Sequence, residues 1–163
     1  MKGLLGIDEI GKDLFIGVGL GLTFIVASLS GLFALSLPPV ASIFSTNVGR
    51  LLAVGVLAPV IEEVLFRGVL LALTQESTKK FILANALQAI AFGVFHLLAY
   101  SGVFLEEFAL STALAVGGAF LSAIIFGFVM GFVAKKTNNL LPGIIAHAII
   151  NAYLISGTLF VIG

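Results

Sequence analysis

The stretch Leu51–Thr74, LLAVGVLAPVIEEVLFRGVLLALT, decides the fold. It is apolar along its whole length except at Glu62, Glu63 and Arg67, and it shows no period-two alternation. About 20 such residues cross a ~30 Å hydrocarbon core as an α-helix, whereas a barrel strand would alternate and an open sheet edge would leave backbone groups unsatisfied in lipid. Comparable runs lie on both sides, at about Leu14–Leu37, Phe81–Leu105, Phe108–Ala134 and Leu140–Ile162. The expectation is an all-α, polytopic membrane helix bundle of about five transmembrane helices. Composition agrees: the 163 residues are 60% hydrophobic and 10% charged, with mean hydropathy +1.24. A water-soluble domain, at about 45–50% apolar and about 25% charged, is excluded.

Eight basic residues balance eight acidic ones, so no surplus of charge points to nucleic acid, and the partner implied is the lipid bilayer. The absence of cysteine excludes disulfides, thiolate metal sites and cysteine nucleophiles. Asp8, Glu9 and Asp13 precede the first run, where a signal peptide would be basic, so that run reads as a retained helix. With five alternating helices, Lys2, Lys12, Lys79, Lys80, Lys135 and Lys136 share one side, and Arg50, Glu106 and Glu107 the other. This asymmetry predicts a cell-membrane protein with a cytoplasmic N-terminus. The longest connection runs from Pro38-Pro39 to Asn47, and residues 1–163 read as a single integral-membrane domain. Gly17-x-x-x-Gly21 and Gly127-x-x-x-Gly131 read as helix packing, and no internal repeat suggests a transporter.

A charge at mid-bilayer depth costs about 2.5–3.5 kcal/mol, so Glu62, Glu63 and Arg67 need an offset. On an α-helix Glu63 and Arg67, four apart, share a face and can pair, while Glu62 points about 100° away. The two histidines of the chain, His96 and His147, also fall inside apolar runs, and Asn151 lies one helical turn from His147. Taken singly, each reads as a hydrogen-bonded packing residue. Together they satisfy one another only by converging on a polar interior site. Asn85 and Gln88 either extend the polar face of His96 or hydrogen-bond between helices.

A carboxylate beside an imidazole can take a proton from water, and a second imidazole with an amide can stabilise the oxyanion formed when that water attacks a carbonyl. These are the parts of a hydrolase, and no serine or threonine accompanies them at a triad spacing. Glu62, His96 and His147 equally form a three-ligand set for a divalent metal such as zinc, although no His-Glu-x-x-His occurs.

Glu62-Glu63-x-x-x-Arg67, Phe92-x-x-x-His96 and His147-x-x-x-Asn151, in that order and each in an apolar helix, resemble the CPBP family. This family comprises the CAAX proteases and bacteriocin-processing (Abi) enzymes, among them the Ras-converting CAAX endopeptidase. Pro59, Phe66-Arg67-Gly68 and the run from Asn139 through Pro142 to His147 are similar to its local sequence, and the likeness covers about residues 55–155. It implies an intramembrane endopeptidase with Glu62, His96, His147 and Asn151 catalytic, and Glu63, Arg67 and Phe92 accessory. Glu62 and His96 would activate water, and His147 and Asn151 would form the oxyanion site. It further implies a peptide or protein substrate, prenylated in the CAAX enzymes, and favours a metal-free account with no cofactor. A non-catalytic bacteriocin self-immunity or binding protein is the alternative within the family, and an oligomer is compatible with either. Family members often have six to eight spans, against about five expected for this chain. At 1.5 Å per residue from the lysine side, His147 lies about 10 Å deep, Glu62 about 16 Å and His96 about 24 Å. They cannot all meet unless the third helix is tilted or starts outside the hydrocarbon, and the expectation is that Lys79–Asn85 is interfacial rather than spanning.

Overall fold

The computed structural model describes residues 10–34, 48–106 and 110–156. They are helical, with no strand among the described residues. In chain order the elements are α1 (Ile10–Ala34), α2 (Val48–Leu52), a π-helical stretch (Ala53–Leu57), α3 (Ala58–Glu63), a second π-helical stretch (Val64–Leu70), α4 (Leu71–Thr78), α5 (Phe81–Glu106), α6 (Leu110–Thr137) and α7 (Leu141–Ser156). The pieces from α2 to α4 follow one another without a break, so five helical runs correspond to the five apolar runs of the sequence. The Pro38–Asn47 connection, Lys2 and Glu107 lie outside the described residues.

Among the described residues three helices are long and apolar enough to cross a membrane, over Ile10–Ala27, Phe81–Leu98 and Val116–Thr137, and Leu141–Leu154 is a shorter apolar helix. The distribution of side chains is that of a protein dissolved in lipid. Phe15, Val48, Ile61 and Leu98 are exposed, whereas Asp13, Glu63, Arg67, Asn85, Gln88, Asn139 and His147 are buried. In water this arrangement would leave large apolar surface unburied; in a bilayer it is the favourable one, because only the polar groups need protein partners.

The chain divides into two compact units. In the first, residues up to Val64 and from Val133, α1 packs on α7, and α7 packs on α3 and the first π-helical stretch. Gly17 and Gly21 make the close approach of α1 possible. A Cβ at Gly17 would lie 2.7 Å from Ile145 Cβ, and one at Gly21 would lie 3.0 Å from Ile149 Cβ.

The second unit is Leu65–Phe132, in which α4 packs on α5. Its interior holds Phe66, Phe92, Phe126 and Met130. Asn85 and Gln88 serve helix packing rather than a polar face of His96. Asn85 Nδ2 donates to Phe128 O (2.9 Å), and Gln88 Nε2 donates to Asn85 Oδ1 (2.8 Å) and Gly127 O (2.9 Å). These side chains need backbone within reach, and the glycines of α6 supply it. A Cβ at Gly131 would fall 1.8 Å from Asn85 Oδ1. Gly131→Ala therefore expels the Asn85 carboxamide and costs about 2–4 kcal/mol from overpacking and lost hydrogen bonds. Denaturant unfolding in detergent, followed by circular dichroism, should show a lower midpoint; an unchanged midpoint contradicts the expectation.

Lys79 adopts a left-handed conformation (φ 57°) that ends α4, and α5 starts two residues later. The segment expected to be interfacial is thus largely the first turn of a 26-residue helix. At about 39 Å, that helix exceeds the hydrocarbon thickness, so it tilts or projects.

Candidate active site

Two local devices aim the side chains of the first unit. Pro59 has no N–H to donate to the carbonyl four residues back, and its ring crowds that carbonyl. The π-helical turn immediately before it widens the helix at this point, with Ala58 N–H donating to Ala53 O. The carboxylates of Glu62 and Glu63 follow at the end of α3. On α7, Gly143 lies one turn before His147 and leaves space for Glu63: a Cβ there would be 2.7 Å from Glu63 Oε2.

Glu63 and Glu62 bracket the His147 ring. His147 Nδ1–H donates to Glu63 Oε1 at 3.2 Å, and Nε2 lies 3.7 Å from Glu62 Oε2. The Glu63 and His147 side chains are only 1% and 4% exposed, whereas Glu62 is 14% exposed. Glu63 therefore lies on the more buried side of the ring, and Glu62 is the more exposed of the two carboxylates. One turn further along α7, Asn151 Nδ2 donates to Val54 O (2.9 Å) in the first π-helical stretch. That bond uses one of the two N–H groups of the amide and orients the other.

In the second unit, His96 Nδ1 lies 3.0 Å from Phe92 O. A carbonyl only accepts, so Nδ1 carries a proton in this contact. The ring packs on Phe92, with centroids 4.3 Å apart. Phe92 in turn carries the Arg67 guanidinium 4.1 Å above its face and Phe66 edge-on at 5.0 Å. A cation on an aromatic face is strongly favoured where water is excluded. Phe92 is thus the platform for both His96 and Arg67.

The structure brings Glu62, Glu63, His147 and Asn151 together within the first unit and His96, Phe92 and Arg67 together within the second. Glu63 and Arg67 fall on either side of the unit boundary. The residues between them are π-helical, a register in which the backbone hydrogen bond spans five residues.

Three features escaped sequence reasoning. Val54 contributes only its carbonyl, so its side chain gives no signal. Gly143 contributes space, which its place four residues before His147 could have suggested. Asp13 looked like a charge at the end of a run, yet it is buried and accepts a hydrogen bond from Asn139 Nδ2.

A lipid-facing helix bundle with a buried imidazole held between two carboxylates is an integral membrane protein with an interior acid–imidazole site. The chain belongs to the type II CAAX prenyl endopeptidase Rce1-like family, whose model matches residues 44–153, and the family is one of CAAX-type intramembrane proteases. No curated protein and no solved structure matches the chain.

Proposed function

We propose that this chain hydrolyses a peptide bond of a prenylated or hydrophobic peptide, using a water activated by Glu62. The observation that supports this most directly is the bracketing of His147 by Glu63 at Nδ1 and by the more accessible Glu62 at Nε2. Glu62 takes a proton from water as the oxygen attacks the scissile carbonyl, the step in which the family resemblance also gives His96 a part. The tetrahedral oxyanion receives hydrogen bonds from Nε2–H of His147, whose ring in this step carries a proton on each nitrogen and keeps Nδ1–H on Glu63, and from the second N–H of Asn151. Collapse breaks the C–N bond, the Glu62 carboxyl returns its proton to the leaving amine, and a carboxylate and an amine result. Arg67 and Phe92 hold His96 in place. The lysines at 12, 79, 80, 135 and 136 support an orientation in the cell membrane with the N-terminus in the cytoplasm.

The test uses the full chain in proteoliposomes with a farnesylated peptide ending in Cys-aliphatic-aliphatic-X. Mass spectrometry should find the released C-terminal tripeptide; an intact peptide in the presence of folded protein rejects the hydrolase reading and favours a binding or immunity role.

The donors of the first unit also suit zinc: Glu62 and His147 offer oxygen and nitrogen 3.7 Å apart, and Glu63 fixes the other ring nitrogen as a carboxylate does for a metal-bound histidine. They would hold the ion, which would polarise a bound water. The proposed mechanism runs without it. Turnover after exhaustive chelation should stay within about twofold of the untreated rate, against the 10- to 100-fold typical of a disturbed metal site. Stoichiometric zinc by elemental analysis, with activity lost on chelation and regained on zinc addition, overturns the metal-free route.

A further inference from the structure

We infer that Asp13, on a helix outside the family-matched region, is a positioning residue that sets the register of α7 and thereby the place of His147. The inference rests on the reading of His147 as part of the catalytic site. α1 ends before residue 44, where the family match begins. Yet α1 lies along the helix that carries His147.

Asp13, Gly17 and Gly21 follow at four-residue intervals, so they form one face of α1. At the two glycines that face is bare. Cβ atoms there would meet Ile145 Cβ and Pro142 O at 2.7 and 2.8 Å, and Ile149 Cβ and Ala146 O at 3.0 and 3.2 Å. These contacts surround His147 in the sequence of α7. They hold the helices close, but a glycine face is smooth and resists sliding along the axis poorly.

The polar end of the same face supplies the stop. Asp13 is 1% exposed, and its Oδ2 accepts from Asn139 Nδ2, while Asn139 Oδ1 accepts from Leu141 N–H at 3.0 Å in the first turn of α7. Asn139 thus ties the Asp13 carboxylate to the start of the helix. Its own backbone is held as well: Asn138 ends α6 with φ 50°, and Thr137 Oγ1 lies 3.1 Å from Asn139 O. A buried aspartate in an apolar helix is costly and calls for a compensating role. Fixing α7 along its axis is such a role, because the Glu63–His147 bond at 3.2 Å does not survive a slip of about 1 Å, a displacement that can cost about 10²-fold in rate.

The chain holds two histidines, so ¹⁵N-histidine labelling gives one reporter for each, assigned with His96→Gln. Asp13→Ala should move the His147 imidazole resonances and leave those of His96 in place. On the farnesylated peptide it should lower kcat about tenfold or more with KM within about twofold. The exchange Asp13→Asn with Asn139→Asp reverses the direction of the 13–139 hydrogen bond and keeps a side-chain oxygen at 139 for Leu141 N–H, and should restore the resonances and kcat. Unmoved His147 resonances in folded Asp13→Ala, or an exchange variant that folds without restoring them, overturn the inference. If Asp13→Ala does not fold, the exchange variant alone decides: wild-type His147 resonances support the pin and displaced ones reject it. If the wild-type chain leaves the peptide intact, the hydrolase reading fails, while the resonances still judge the positioning role.

Discussion

Glu62→Gln should lower kcat for cleavage of the farnesylated peptide by about 10³-fold or more, to background, while leaving the detergent melting temperature close to that of the parent. The activity loss follows from replacing the one carboxylate at the accessible side of His147 with an amide that cannot accept a proton from water; general base catalysis contributes about 10²–10⁴-fold. The stability expectation follows from shape and exposure. Glutamine is isosteric, and Glu62, at 14% exposed, is the less buried of the two carboxylates at His147. KM should change little, because the carboxylate acts in the transition state. A rate within about tenfold of wild type would remove Glu62 from the role of base.

His147→Ala should differ from Glu62→Gln by failing on both counts. Turnover should drop about 10²–10³-fold, the usual consequence of deleting an oxyanion donor. Stability should drop as well, by about 3–5 kcal/mol, because the Nδ1 donor to a fully buried Glu63 carboxylate disappears. Adding Glu63→Leu to His147→Ala should recover part of the stability and none of the activity, since an apolar side chain has no charge to desolvate. Equilibrium unfolding in detergent and peptide turnover, measured on the same preparations, separate the two effects. A His147→Ala chain as stable as wild type would show that the Glu63 bond is not a structural tie.

How much of this was legible in the sequence varies residue by residue. Glu62, His147 and Asn151 stood out because each is polar within an otherwise apolar helix. The pairing of Gly17 with Gly21 announced a close helix approach, and the structure places α7 against it. The role of Glu63 was harder to read. Its hydrogen bond goes to His147, 84 positions away, a partner that no local spacing signals. The π-helical stretch after Glu63 also changes the angular arithmetic on which the spacing rule depends. Asp13 was misjudged because its neighbours Asp8, Glu9 and Lys12 make it resemble an ordinary flanking charge.

By itself the sequence determined the solvent and the secondary structure. Too few charges are available to cover a water-soluble surface, and continuous apolar runs in lipid can satisfy their backbone groups only as helices. It also marked the candidate site residues, because the bilayer makes every interior polar side chain conspicuous. Tertiary structure decided which partners they meet: Glu63 takes Nδ1 of His147 and Glu62 faces Nε2, Asn151 donates to the Val54 carbonyl, and Asp13 accepts from Asn139 just before α7. Periodicity fixes the rotation of a side chain about its own helix axis, but not the axial offset or the approach distance between two helices. Those are set by glycines, π-helical turns and buried polar pins, which act only when distant segments meet.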